Sequence, residues 1–388
     1  MKICAIICEY NPLHYGHIRQ INFIKENIKP DIIAVILSGN FTERGECAVS
    51  DKYTRASWAI QAGADVVFEL PTVFATSNAE IFAKGALKLV NALPGEKVLC
   101  FGTETDDATK LIEIAKTMLV ESEDYKFNLK NELKKGVSYA KARYCALEKT
   151  NPELDLAPLL SPNNVLGVEY IKAILQNNYN VSIKTIKRDS DFNESKIIKK
   201  SPSALSIRNA ILSGKKYKCK NAVPKYVYKD LPNKLPDFSR EIIYSLLSQS
   251  KEDLRRLPDL SEGLENKIKA LIKDNFDLND LISKLKSKRY TETRLKRILF
   301  ASLLKIDEEF VKSCLNEELY FKVLALKKEK QDILSSLSKA KYPLITRKSD
   351  YSLLNDIQKE CFKKDVFALD VYSSATGVKT NEFEMKLV

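Results

Sequence analysis

The 388-residue chain contains two histidines, and both fall in one tetrapeptide, His14-Tyr15-Gly16-His17. An apolar run, Ile3 to Cys8, leads through Glu9-Tyr10-Asn11-Pro12-Leu13 into it, and a helical pattern begins near Gly16. A strand, an Asn-Pro turn and a helix start, in that order, make a ligand position beyond the carboxyl end of a strand. The first amides of such a helix lack intrahelical partners, and its dipole favours anions, phosphate above all. Gly16 lets a phosphate approach the backbone with no side chain in between. Two imidazoles at this point can donate hydrogen bonds to phosphoryl oxygens and stabilise charge as pyrophosphate departs. His14 and His17 are therefore the candidate catalytic residues, acting on the transition state at a phosphate rather than as nucleophiles. A surface loop that merely holds both histidines is the alternative, and their restriction to this one turn argues against it.

Such a turn needs a sheet behind it. Short β-rich runs at Ile3–Cys8, Ile32–Leu37, Asp65–Glu69, Val98–Phe101 and Val181–Lys187 alternate with helical patterns at Ile18–Asn27, Lys52–Ala62, Asn78–Asn91, Asp107–Leu119 and Asn164–Gln176. This alternation predicts an α/β fold with a doubly wound parallel sheet. The unbroken apolar run from Ile32 to Leu37 fits a strand covered on both faces. Tyr125–Glu148 reads as a helical insertion, at about 120–160. Pro224, Pro232 and Pro236 mark residues 216–240 as a linker. A mainly α-helical basic domain is expected over 241–388, leaving 1–215 as the catalytic unit.

The charge is divided unequally. Residues 1–200 hold 26 Lys+Arg against 25 Asp+Glu, and residues 201–388 hold 37 against 26. The excess of the second half points to a polyanionic partner there. Within it, Lys284, Lys286, Lys288, Arg289, Arg294, Lys296 and Arg297 surround Tyr290 with one acid, Glu292, among them, a pattern suited to phosphate contacts and a base stack. The eight cysteines are scattered without a CxxC pair, which favours reduced thiols with no disulfide partner and argues against a zinc site. No apolar stretch reaches the ~20 residues of a membrane span, and the N-terminal run lacks a cleavage site, so a cytoplasmic location with no membrane partner is expected.

The His14–His17 turn resembles that of the HxGH nucleotidyltransferases. That superfamily's second element, a hydroxyl-rich turn ending in Ile-Arg, is similar to Ser203-Ala204-Leu205-Ser206-Ile207-Arg208, although Ala204 and Leu205 replace hydroxyl residues. Six further strings narrow the resemblance: Glu9-Tyr10-Asn11-Pro12, Ser38-Gly39-Asn40-Phe41 with Arg44-Gly45-Glu46, Phe68-Glu69-Leu70-Pro71, Phe101-Gly102-Thr103-Glu104 and Pro162-Asn163-Asn164-Val165-Leu166-Gly167. In this order they resemble the bacterial tRNA(Met) cytidine acetate ligase family over most of residues 1–210.

The resemblance implies an enzyme that uses ATP, as its Mg²⁺ complex, to activate acetate as acetyl-adenylate. The acetyl group then passes to N4 of the wobble cytidine of elongator tRNA(Met). It also implies an ATP site built from Ile7, Cys8, Glu9, Tyr10, Asn11, Pro12, Leu13, His14, Tyr15, Gly16, His17, Ile18, Arg19 and Gln20, with Gly102, Asn163, Asn164, Lys187, Arg188, Ser203 and Arg208. Arg44 is expected to face acetate or phosphate. No metal-ligating residues are expected. The rival readings are a nucleotidyltransferase for a small phosphorylated metabolite, which leaves the basic half unexplained, and an inactive tRNA-binding module. A class I synthetase-like enzyme is a third, with Lys199-Lys200-Ser201 a poor substitute for its second motif.

Overall fold

The computed structural model describes residues 1–105, 107–188, 202–261, 263–274 and 276–388; Lys199-Lys200-Ser201 lies outside them. Five parallel strands form the centre of the sheet: β1 (Lys2–Cys8), β2 (Ile32–Ser38), β5 (Val66–Leu70), β6 (Glu96–Thr103) and β7 (Ser182–Lys187). Between β2 and β5 a small antiparallel hairpin is made by β3 (Phe41–Thr42) and β4 (Glu46–Cys47). The later chain adds β8 (Phe321–Leu326), β9 (Leu344–Ile345) and β10 (Lys386–Leu387). The order across the sheet is β10-β8-β5-β2-β1-β6-β7, with β9 paired to β8.

The inner strands are covered on both faces, whereas β7, at the edge of the sheet, has no buried residue. Along β1, Ile3 and Ala5 enter one apolar cluster while Cys4 and Ile6 enter the cluster on the opposite face. Every residue of β2 is buried. This is why these segments read as continuous apolar runs rather than alternating ones.

The expected boundaries change in three places. Residues 241–388 are mainly helical, but β8 re-enters the catalytic sheet antiparallel to β5, with Val67 opposite Ala325. The reason is electrostatic as well as apolar. Lys322 on β8 and Lys52 each lie 2.7 Å from Glu382 Oε1, and Lys52 also meets Glu69 at 2.7 Å. Charges this deeply buried persist only when paired. Residues 216–240 are a packed segment rather than a linker: a 3-10 helix, Lys216–Asn221, precedes helix Lys225–Asp230. Cys219, Val223 and Val227 are buried beneath it, and Trp58 Nε1 donates to Asp230 at 2.8 Å. The insertion is two helices, Glu123–Lys134 and Tyr139–Thr150, turning at Gly136, whose φ of 72° suits glycine. All eight cysteines are free thiols, and among the described residues no helix is long and apolar enough to cross a membrane.

Candidate active site

The carboxyl ends of β1 and β6, the residue after β7 and the starts of helices Pro162–Gln176 and Ala204–Leu212 enclose a cavity of about 460 Å³. Its lining includes Ile7, Cys8, Glu9, Tyr10, Asn11, His14, His17, Gln20, Gly102, Asn163, Arg188, Ser203 and Arg208 from the expected set.

Helix Tyr15–Phe23 opens on a capping box made of the two histidines. His14 Nδ1 accepts from the Gly16 amide at 3.0 Å, and His17 Nδ1 accepts from the His14 amide at 3.2 Å. The rings stack 3.9 Å apart, with the Tyr10 ring edge-on to His17 at 4.8 Å. Burial, then the charges of His17, Arg188 and Arg19, hold His14 well below the usual imidazole range. Burial and Arg188 bring His17 down to about 3. Both rings are thus neutral at neutral pH. With each Nδ1 used as an acceptor, the ring proton sits on Nε2, leaving two preset N–H donors in the cavity wall.

The cations stand opposite. Arg188 follows β7, and its amide donates to the Thr103 carbonyl at 2.8 Å. Gly102 makes room for it: a Cβ there would come within 3.2 Å of Arg188 Cγ. Arg188 Nε is buried and has no hydrogen-bond partner among the described residues. A buried guanidinium donor left open at a cavity wall is suited to an oxyanion ligand. Arg208 donates to the Asn11 carbonyl at 2.8 Å and pairs with Glu46 at 3.0 Å, so part of its charge is committed to the fold. Ser203 caps its helix by accepting from the Ser206 amide at 3.0 Å, and Ser206 Oγ donates back to the Ser203 carbonyl at 2.8 Å. Ser203 lines the cavity together with the first helical residues, Ala204 and Leu205.

Several residues of the expected set do not line the cavity. Leu13 is buried in the core and Ile18 packs against it, while Pro12 is also buried. Tyr15 and Arg19 are exposed at the surface, as is Lys187. At Gly16 a Cβ would come within 2.8 Å of the His14 ring, so glycine there admits that ring. Asn11 reaches the cavity, but its Oδ1 accepts from the Val49 amide at 2.8 Å. Gln20 is tied to the Cys100 carbonyl at 3.0 Å. Asn163 and Asn164 are organised by Glu104, which accepts from the Asn163 side chain at 2.5 Å and the Asn164 amide at 3.0 Å. Asn164 Oδ1 answers the Glu104 amide at 2.9 Å, so Asn164 is a buried joint between β6 and its helix, and only Asn163 lines the cavity.

Other residues were not legible from spacing. Arg55, fully buried, donates to the carbonyls of Glu9 at 2.7 Å, Ser38 at 3.0 Å and Gly39, pinning the ends of β1 and β2 together. Glu43 joins the lining from the β3–β4 hairpin and Thr293 from helix Glu292–Leu304, while Arg44, expected to face acetate or phosphate, lines the cavity next to Glu43. Burial raises the Glu43 carboxyl to about 7, with Arg297 and Arg44 opposing and Glu9 and Asp259 adding to the rise. The hairpin sits directly on that helix: at Gly45, φ 66°, a Cβ would strike the Arg297 amide at 2.4 Å. No local signal announced these contacts.

The basic segment is built differently from its sequence reading. Tyr290 is buried, donates to the Ser261 carbonyl and is covered by the Arg294 guanidinium 4.5 Å from its ring centre, so it offers no face to a base. Arg294 also donates to the Asp259 carbonyl at 2.8 Å. Arg297 binds the Asp259 carboxylate at 2.8 Å and Glu43 at 3.5 Å. Lys284 pairs with Asp280, while Glu292 pairs with both Lys286 and Lys296. Arg289 reaches the Leu133 carbonyl at 3.3 Å, and Lys288 is exposed.

An α/β sheet with an HxGH turn at the mouth of a cationic cavity defines a nucleotidyl transferase, and the family model described as HIGH Nucleotidyl Transferase matches residues 1–386. The tRNA(Met) cytidine acetate ligase of Caldanaerobacter subterraneus subsp. tengcongensis is 39% identical over 388 residues, covering 97% of this chain and 96% of the relative. That of Clostridium acetobutylicum is 36% identical, covering 96% and 95%. The crystal structure of apo Thermotoga maritima TmcAL superposes with a TM-score of 0.92 at 29% identity over the whole of both chains. The same protein bound with alpha-thio ATP gives 0.90, again at 29% identity over both whole chains. The chain belongs to the tRNA(Met) cytidine acetate ligase family.

Proposed function

We propose that this chain is the ligase that acetylates N4 of the wobble cytidine in elongator tRNA(Met), using acetate and ATP. The observation that carries the ATP half is the pairing of two neutral Nε2–H donors with an open Arg188 guanidinium around one cavity. The T. maritima relative solved with alpha-thio ATP supports the same reading.

In the first step an acetate oxygen attacks the α-phosphorus, the bond to the bridging oxygen breaks and pyrophosphate leaves. His14 and His17 donate to the oxygens on which charge grows, which is where preset donors lower a barrier most. Arg188 and the helix start at Ala204 hold the departing phosphates. In the second step the cytidine N4 lone pair attacks the acetyl carbonyl, the carbon–oxygen bond to AMP breaks, and the N4 proton is lost. Mg²⁺ would arrive on the nucleotide's phosphates, since among the described residues no cluster of three or more His, Cys, Asp or Glu side chains is placed to hold a metal.

The test is mass spectrometry of nucleosides after the protein is incubated with ATP, acetate and unmodified elongator tRNA(Met). N4-acetylcytidine that requires both small substrates is the expected result. Its absence with folded protein would overturn the assignment.

A further inference from the structure

The helical insertion carries a charge pattern that neither step of the reaction uses. On helix Glu123–Lys134, Lys126, Lys130 and Lys134 recur every four residues and so share one face. Like charges at this spacing repel one another. Lys126 has Glu123 at 2.9 Å as a counter-ion, whereas Lys130 and Lys134 form no ion pair among the described residues. The three lysines border a groove of about 430 Å³ floored by Leu129 and Leu133. Across it stands Arg289, held to the Leu133 carbonyl at 3.3 Å. Four cations thus converge on one open channel with an apolar floor, and the exposed ring of Phe127 stands on the same helix.

The groove lies next to the active site. Arg289 is four residues from Thr293, which lines the catalytic cavity, and four residues of chain span at most ~14 Å. A row of lysines rising along a helix by about 6 Å per step offers repeated point charges rather than one enclosed anion pocket. That layout fits the successive phosphates of a nucleic-acid strand.

We propose that this groove between the insertion and Arg289 binds the phosphodiester backbone of the tRNA beside the catalytic cavity; this rests on the reaction proposed above. The lysines act as phosphate contacts, and Arg289 fixes the opposite wall. The principal RNA contact is thereby placed on the insertion, where Lys130 and Lys134 form no ion pair among the described residues.

The test uses the full chain carrying Lys126→Ala, Lys130→Ala and Lys134→Ala together, with elongator tRNA(Met) affinity measured across a salt series. Losing about three phosphate contacts lowers the magnitude of the log Kd against log salt slope by about 2 to 3 units. A control removes the same charge elsewhere, with Lys312→Ala, Lys341→Ala and Lys363→Ala, all exposed side chains, and keeps the wild-type slope. Lys→Arg at the three groove positions restores it. Acetate-dependent ATP–pyrophosphate exchange, which needs no RNA, verifies that the variants are folded. An unchanged slope in the groove variant, or an equal loss in the control, overturns the inference. Wild-type protein that binds tRNA with this groove-dependent slope yet forms no N4-acetylcytidine would sink the proposed reaction and support the groove.

Discussion

The nucleotide cavity and the basic segment at 284–297 both announce themselves in the sequence, yet the structure treats them in opposite ways. In the cavity one buried donor, Arg188 Nε, is left without a partner among the described residues, beside two imidazoles whose Nδ1 atoms already serve as acceptors. In the basic segment, most of the cations are spent on the protein itself, with Arg297 on Asp259, Arg294 over Tyr290 and Lys296 on Glu292. Burial of an unsatisfied donor costs stability, so it persists where a ligand uses it. A charged side chain paired with an acid has much of its desolvation offset by that partner. Chemistry restricted to two residue types at one turn is therefore a stronger sign of function than charge density.

The largest effect that distinguishes the two regions is expected at His17. Removing one transition-state donor with His17→Ala reduces acetate-dependent ATP–pyrophosphate exchange by about 10²–10³-fold. The affinity for tRNA stays near wild type, and a comparable loss in both would erase the contrast. A smaller effect, of the opposite kind, is expected from Arg297→Ala. Breaking its pair with Asp259, only 13% and 17% exposed, destabilises the fold by about 1–3 kcal/mol. The thermal midpoint should fall with little change in the salt slope of tRNA binding; a full unit lost from that slope would make Arg297 an RNA ligand after all. The smallest effect is a titration that does not happen. With only two histidines, the proton NMR spectrum shows two imidazole Cε1–H signals, and both should hold their neutral positions from pH 8 to pH 5. The folded pKa of His17, about 3, lies below its ordinary 6.5, so the unfolded chain takes up the proton first. The stability associated with the neutral ring is complete above pH 6.5 and is lost as pH falls toward 3. An inflection between pH 6 and 7 in either signal would contradict the buried, neutral pair.

What could be read from the sequence follows the same division. The five parallel strands and the His14–His17 turn were legible because strand ends, a helix start and phosphate chemistry dictate residue types locally, whereas Gly102 and Arg188 came only with the family resemblance. The strand β8 was not, because Phe321–Leu326 sits in a helical region and its Lys322 looks like a surface residue without Glu382, 60 positions later. Arg55 was hidden because its acceptors are backbone carbonyls from separate segments, which leave no mark in side-chain spacing. Tyr290 was read as exposed because Ser261, which takes its hydroxyl, lies 29 residues away. Burial decided by distant partners is the common cause.

The bond between Lys52 and Glu382 joins residues 330 positions apart. At the ~5–20 residues per second of translation, that separation is roughly 20 to 70 seconds on the ribosome. For most of this interval β5 has no β8 beside it, and an unpaired strand edge is an invitation to aggregation. Lys52 meanwhile waits beside Glu69 without its second carboxylate. The His14 turn is among the first parts of the chain to be made, yet the sheet that carries it closes only when residues beyond 380 emerge.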